Sequence, residues 1–122
     1  MVQFMKLTFL YQPVDDLAAA VAFYRDVMGL DEAWREGDTT AAFTLPGTEV
    51  ELMLDTPPGD GPEWKGGGMY AVESVDKFLA EHPSVKQVGE IIDMPGGRGA
   101  AFLDPAGNTV HVFDQSTAEA GE

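Results

Sequence analysis

The sequence predicts an α+β fold: two βαβββ modules that pair into curled mixed sheets around a concave pocket. Two observations predict it. Residues 47–55 resemble residues 107–114, each stretch with a glycine turn, a strand and a closing aspartate, and the second starts 60 residues after the first. A strand pattern followed by a helix pattern also occurs once in each half, near residues 6–28 and 69–81. Repeated similarity in the same order indicates an internal duplication.

Module one is expected over about residues 4–55. Its helix should begin after Asp15 or Asp16, because a short carboxylate can accept the free amide hydrogens of the first turn, and it should end at Gly29. Residues at helical spacing should bury one face of this helix: Leu17, Val21, Tyr24 and Met28. The strands of this module are predicted near residues 6–12, 31–35, 40–45 and 49–54.

A connector rich in proline and glycine is expected over residues 56–68, and module two over about residues 69–114. Ser74 should cap the second helix, which Pro83 stops. The strands of this module are predicted near residues 69–72, 86–92, 99–103 and 109–113. A half-sheet with an open face cannot stand alone, so the modules should pair, either within the chain or between two chains. The whole chain is then a single domain.

The net negative charge of the chain narrows the classes of molecule that it can bind. The 122 residues include 21 acidic and 7 basic side chains, for a net charge of −14, and no cysteine. Such a surface repels nucleic acid and anionic membranes, and the missing thiols exclude disulfides and thiolate metal sites. With no recognisable targeting segment, we expect a cytoplasmic protein whose partner is a small molecule. The acidity would favour a cationic ligand, or it serves solubility or tolerance of salt.

Strand parity separates packing residues from candidate site residues. Leu52 and Leu54 should pack under the first helix, and Val112 under the second, so the alternate positions face the concavity. Large rings at Trp34 and elsewhere favour an apolar small-molecule site. The candidate ligand-binding residues of this face are Phe9, Tyr11, Glu51, Met53, Met69, His111 and Phe113. Two further candidates lie outside it: Trp64 could cover a ligand or seal a dimer, and Arg98 could meet an anionic group or anchor a carboxylate.

Residues 14–30, VDDLAAAVAFYRDVMGL, and residues 96–114, GGRGAAFLDPAGNTVHVFD, resemble the start and end signatures of the vicinal oxygen chelate superfamily. That family includes glyoxalase I, extradiol dioxygenases and bleomycin-resistance proteins. The resemblance covers nearly the whole chain. It implies the paired-module fold and commonly a homodimer, which light scattering would test.

The resemblance also implies where a metal would bind. The ligand positions carried over are Phe9, Glu51, a position near Gly67 or Met69, and His111. A phenyl ring and a glycine cannot bind a metal, and a thioether suits only soft metals. Only Glu51 and His111 remain as possible divalent-metal ligands, so no metal cofactor is favoured. The other histidine, His82, is expected at the surface.

Three functions follow from these residues. The first is a metal-independent binder of small molecules that resembles bleomycin-resistance proteins, with an antibiotic or other natural product as ligand. The second is a divalent-metal lyase, isomerase or dioxygenase that resembles glyoxalase enzymes. The third is a non-catalytic interaction domain whose cavity is filled by Phe9, Met69 and Phe113. Glu51 and His111 are the catalytic candidates: close together, they could form an ion pair or act as acid and base, or simply be a hydrogen-bonded pair.

Overall fold

The computed structural model describes residues 5–57, 64–94 and 96–115. Its nine strands form one mixed sheet in the order β2-β3-β4-β1-β5-β9-β8-β6, with β7 also paired to β8. The strands are β1 (Lys6–Pro13), β2 (Glu32–Glu36), β3 (Thr40–Thr44), β4 (Glu51–Asp55), β5 (Gly67–Ala71), β6 (Lys86–Gln87), β7 (Ile92–Met94), β8 (Gly97–Leu103) and β9 (Thr109–Phe113). The expected α+β fold is confirmed. Within the described residues, no helix has the length and apolar content needed to cross a membrane.

The two halves meet at the centre of the sheet within one chain. Strand β1 runs parallel to β4, strand β5 runs parallel to β9, and β1 pairs antiparallel with β5. Each half therefore contributes its first and last strands to the middle of the sheet. This pairing aligns the equivalent strands of the two halves about the β1–β5 seam.

The helices cover one face of the sheet and make two separate cores. Helix α1 (Leu17–Ala22) buries Leu17 and Val21 against Phe43, Leu52 and Leu54. Helix α2 (Val75–Glu81) belongs to the second core, whose buried members are Val72, Val75, Phe78, Ala100, Phe102 and Val112. The predicted inward parity of the strands β4 and β9 is confirmed. Within the described part of the chain, both helices therefore lie on one face, and the opposite, concave face carries neither of them.

The helix ends follow the predicted capping. Asp16, one of the two expected candidates, accepts a hydrogen bond from the Ala19 amide through its carboxylate at 3.0 Å. Ser74 caps α2 by accepting from the Lys77 amide at 3.2 Å. Helix α2 has an additional acceptor, because the carboxylate of Asp114 accepts from the Val75 amide at 2.6 Å. The end of strand β9 is thereby fixed to the start of α2.

The expectation that Met28 lies on the buried face of the first helix is wrong. Helix α1 continues as a π-helical segment, Phe23–Val27, in which the Met28 amide donates to the Phe23 carbonyl, five residues earlier. The wider turn rotates the following residues, so Met28 is 55% exposed while Leu30 packs against the core. Tyr24 still contacts the core through the ring of Phe43.

The strand predicted over residues 86–92 is also wrong as a single element. It consists of two short strands, β6 and β7, that pair with different ends of β8. Gly89 lies between them with a φ of 73°, a left-handed conformation that does not continue a strand. The side chain of Gln87 donates to the Gly89 carbonyl at 3.1 Å and stabilises this break.

Candidate functional site

A row of four side-chain positions crosses the centre of the concave face. Phe9 on β1 is in register with Glu51 on β4 and with Met69 on β5, and Met69 is in register with His111 on β9. Because in-register neighbours on adjacent strands share a face of the sheet, the four side chains lie on one side. The row Glu51–Phe9–Met69–His111 therefore has polar groups at its ends and apolar groups at its centre. Of the two positions expected near Gly67 or Met69, the register selects Met69.

The sheet curls strongly around this row. The ring of Phe9 contacts that of Trp34, whose strand lies three places away, with centroids 6.0 Å apart. The ring of Tyr11 lies 4.6 Å from that of His111, although strand β5 separates β1 from β9. Adjacent strands are about 4.8 Å apart, so such contacts require a curved sheet.

Glu51 is held by a tryptophan. The indole Nε1 of Trp34 donates a hydrogen bond to Oε1 of Glu51 at 2.9 Å. Trp34 reaches it across β3 because its cross-strand partner is Ala42, whose small side chain does not block the way. Glu51, Phe9 and Trp34 are all partly exposed. The result is an oriented carboxylate beside two aromatic rings, open to solvent on one side.

His111 lies at the buried end of the row. It is 0% exposed, and its ring lies between those of Tyr11 and Trp64, at centroid distances of 4.6 and 5.3 Å. Its Nε2 lies 2.7 Å from the backbone oxygen of Lys65, which can only accept, so Nε2 carries the proton. Its Nδ1 is buried and has no hydrogen-bond partner among the described residues. The ring therefore presents a bare acceptor, which is uncommon in a protein interior.

Burial lowers the pKa of His111 below its ordinary 6.5, and the bond to the Lys65 carbonyl opposes this only in part. The neutral ring is therefore the form that the fold stabilises. In the unfolded chain the imidazole takes up a proton as the pH falls through about 6.5, whereas the folded protein does so only at lower pH. The contribution of the neutral imidazole to stability is fully present above about pH 7 and is lost as the pH falls through 6.5 towards the folded pKa.

We expect the free energy of unfolding to decrease between about pH 7 and pH 5.5, by at most about 1.4 kcal/mol per pH unit. Denaturant titrations across this range measure it. His111→Phe should flatten the dependence. The carboxyls with lowered pKa values start from about 4.5 or below and so act at lower pH. Constant stability of the unaltered protein over this range would contradict the neutral buried imidazole.

Tyr11 is fixed by an aspartate of module one. Its hydroxyl donates to Asp55 at 2.8 Å, and Thr40 donates to the other oxygen of that carboxylate at 2.7 Å. Burial, followed by the hydrogen bond to Asp55, raises the pKa of Tyr11 above its usual value. The phenol thus stays protonated, and its role at the site is to hold a ring against His111. The sequence repeat identified Asp55 as the closing aspartate of module one. Its hydrogen-bond partners could not be predicted, because they depend on the register between strands.

Arg98 does not belong to the concave face. Strand β8 begins at Gly97, and Arg98 alternates with Ala100 and Phe102 on the helix-covered side. Its guanidinium pairs with Asp76 of helix α2 at 2.7 Å. Of the two roles expected for Arg98, anchoring a carboxylate is the one that the structure shows. Its contact with an anionic group of a ligand stays a prediction. His82 is half-buried rather than exposed, with its ring stacked on Phe78 at 4.3 Å.

Glu51 and His111 do not form the ion pair considered from the sequence. Two strands lie between them, and each has another partner, Trp34 for one and the Lys65 carbonyl for the other. The donor set does not fit a divalent cation either, since Phe9 and Met69 fill the central positions of the row. Among residues 5–57, 64–94 and 96–115, no group of three or more histidine or acidic side chains is placed to hold a metal ion.

The remaining predicted site residues form one apolar cluster on the concave face. Its buried members are Tyr11, Met53, Trp64, Met69, Ala101 and Phe113. The ring of Phe9 lies 5.7 Å from that of Phe113 and packs on this cluster. The structure thus brings together all the predicted ligand-binding residues except Arg98. Sequence reasoning counted Trp34 among the rings but missed that it holds Glu51, and it missed the Lys65 carbonyl, which carries no side-chain signal.

These features define a duplicated α+β protein with a curled sheet and a row of aligned positions on its concave face. A family model described as Glyoxalase/Bleomycin resistance protein/Dioxygenase superfamily matches residues 6–112. The chain belongs to this family, the vicinal oxygen chelate superfamily. The resemblance noted in the sequence is confirmed.

Solved structures show the same fold. An NAD-dependent benzaldehyde dehydrogenase from Legionella pneumophila matches with a TM-score of 0.72 at 18% identity, covering 88% of this chain and 97% of that one. A methylmalonyl-CoA epimerase from Mycobacterium tuberculosis matches with a TM-score of 0.64 at 18% identity, covering 96% and 92%. A variant of homoprotocatechuate 2,3-dioxygenase from B. fuscum matches at 0.61 and 19% identity, covering 93% of this chain but 33% of that one. No curated protein matches the sequence.

Proposed function

We propose that this protein binds a small organic amine on its concave face without a metal cofactor. It would then resemble the bleomycin-resistance proteins of its family, with an antibiotic or other natural product as the ligand. The observation that carries the proposal is the bond from Trp34 to Glu51 at the open end of a row whose centre is apolar. A carboxylate in this setting has the chemistry of an anchor for a cation.

The electrostatics favour a positively charged ligand. Glu51 offers a second carboxylate oxygen that the Trp34 bond does not occupy. The rings of Phe9 and Trp34, in an edge-to-face contact, stand beside it and can attract an ammonium group through their π faces. The net charge of −14 adds a field that draws cations towards the protein. An anionic ligand would be repelled by each of these features.

The arrangement supports binding better than catalysis. General acid–base catalysis needs two groups within reach of the same reacting atoms. Glu51 and His111, the two catalytic candidates, lie at opposite ends of the row, separated by Phe9 and Met69. A divalent-metal lyase, isomerase or dioxygenase would need ligands at those two central positions. We therefore favour the binding function over the metal-dependent enzyme.

A second candidate is a non-catalytic interaction domain. The observation in its favour is that Met69 and Phe113 are 2% and 7% exposed, so side chains of the chain itself occupy much of the concavity. We propose a homodimer for either of these two functions. Apolar surface for it is available on the π-helical segment, where Phe23 and Val27 are 47% and 72% exposed.

The test is a calorimetric titration of arylalkylamines, with elemental analysis of protein purified without chelator. We expect binding that Glu51→Gln weakens by about 10- to 100-fold, since hydrogen bonds to charged groups contribute about 1.5–3 kcal/mol. Glu81→Gln at the exposed end of α2 makes the same change in net charge and should have little effect. Equal affinities of the two variants would remove Glu51 as the anchor. Stoichiometric nickel, zinc, manganese or iron would instead favour the enzyme.

A further inference from the structure

The hydrogen-bond donors around the row are already occupied. Four N–H or O–H groups of ring side chains flank it, and each donates to an acceptor of the chain itself. These bonds run from Tyr11 to Asp55, from Trp34 to Glu51, from Trp64 to the Val88 carbonyl and from His111 Nε2 to the Lys65 carbonyl. A ligand that needs donors from these side chains would have to break a bond that the fold makes.

Among the described side chains of the row, the hydrogen-bonding groups that are still open to a ligand are acceptors. At one end of the row, Oε2 of Glu51 is not engaged by Trp34. At the other end, Nδ1 of His111 is a lone-pair acceptor that has no partner among the residues that the structure describes, on a side chain that is fully buried. A buried polar atom that makes no hydrogen bond costs about 1–3 kcal/mol, so a ligand that supplies a donor there recovers this energy. Phe9 and Met69 lie between the two acceptors.

The two acceptors differ in the donor that they would select. The partly exposed carboxylate of Glu51 suits a protonated amine. Nδ1 of His111 lies among the rings of Tyr11 and Trp64, where a second charge would lose its hydration. A neutral O–H or N–H group suits this end. Three strand spacings separate the ends by about 14 Å on a flat sheet, and the curl shortens this distance.

We propose that the ligand carries a donor at each end: a protonated amine for Glu51, an apolar middle over Phe9 and Met69, and a neutral hydroxyl or N–H group for Nδ1 of His111. This inference rests on the proposed amine binding and extends it by naming the second anchor. It also assigns a movement to Trp64. The Trp64 ring packs against the ring of His111 with centroids 5.3 Å apart, and its bond to Val88 is the longest of the four donor bonds at 3.3 Å. A ligand that reaches Nδ1 displaces this ring.

The test uses the unaltered protein and matched probes. Phenols that carry an aminoalkyl chain in the para position, in a series of chain lengths, are compared by calorimetry with their methyl ethers, which keep the amine and the ring but lack the donor. At the best length the phenol should bind about fivefold to tenfold more tightly than its ether, the value of one hydrogen bond. The arylalkyl carboxylates of equal length should not bind.

Outcomes separate the two proposals. Equal affinity of phenol and ether at every length, with both weakened by Glu51→Gln, would overturn the second anchor and leave amine binding intact. Binding of neither would overturn both. In His111→Phe the ratio of phenol affinity to ether affinity should fall to about one, whatever the change in the two affinities themselves. If the folded variant still prefers the phenol, Nδ1 has no role as the second anchor. If the variant does not fold, the comparison of phenol and methyl ether on the unaltered protein still tests the second anchor.

Discussion

A divalent cation should bind to the double variant Phe9→His/Met69→His roughly 10³-fold more tightly than to the unaltered protein. Four-ligand zinc sites bind with about 10–16 kcal/mol, so each ligand contributes about 3 kcal/mol and two added ligands about 6 kcal/mol. The substitutions place imidazoles at the two central positions of the row, between Glu51 and His111. The row would then hold four donors of the kind that zinc and nickel prefer.

The curl of the sheet is what allows the four side chains to converge. Tyr11 already contacts His111 across β5 with ring centroids 4.6 Å apart, so side chains on strands two places apart can meet above the concave face. Glu51 would exchange its bond from Trp34 for the metal, at a cost of about 2 kcal/mol for a hydrogen bond to a charged group. The expected gain exceeds this cost.

The control is a second pair of histidines on the opposite face, Leu10→His/Tyr70→His. Leu10 and Tyr70 lie on the same two strands, β1 and β5, but at positions of the other parity. Calorimetry with nickel and zinc ions measures both variants. Equal affinity of the two pairs would mean that the concave row does not gather its side chains, and the geometry from which the amine site is argued would fail with it.

The fold could be predicted because duplication repeats the same signals. Helix starts at Asp16 and Ser74 carry their own capping chemistry, and alternation along β4 and β9 distinguishes the two faces. These are local properties of the chain. The π-helical turn that exposes Met28 was not predictable in this way, because a helix with one extra residue in a turn has no distinct composition.

The candidate site could be predicted only as a set of residues on one face. Their partners depend on register between strands that are distant in sequence. Trp34 meets Glu51 because β2, β3 and β4 align so that Ala42 lies beneath the indole. The face that Arg98 occupies could not be predicted, because its strand starts two residues before the predicted start and strand parity therefore did not apply to it. A backbone carbonyl such as that of Lys65 gives no sequence signal at all.

Gly97→Ala should be the most destabilising single substitution of a glycine in the described strands, with a loss of about 3 kcal/mol. A Cβ at this position would lie 1.9 Å from the backbone oxygen of Asp114 and 2.7 Å from its Oδ1. Backbone atoms cannot rotate away as a flexible side chain does, so strands β8 and β9 would have to separate locally.

The damage would extend to helix α2. The Asp114 carboxylate accepts from the Val75 amide at 2.6 Å and from the Arg98 amide at 2.9 Å. A displaced Asp114 would lose both bonds, and the start of α2 would lose the acceptor that supplements its Ser74 cap. The matched control is Gly68→Ala on β5, where the added Cβ would meet only side-chain atoms of Tyr70 and Leu7, at 3.1 and 3.2 Å. Those side chains can shift, so we expect a loss below about 1 kcal/mol there.

Thermal and denaturant unfolding of both variants measure this difference. A loss of about 3 kcal/mol corresponds to a melting temperature lower by about 10 °C for a chain of this size. If Gly97→Ala were as stable as Gly68→Ala, the end of β9 would not lie against β8 as closely as the structure has it. Since His111 and Phe113 are carried by the same strand, the buried end of the ligand row would then lose its geometric basis.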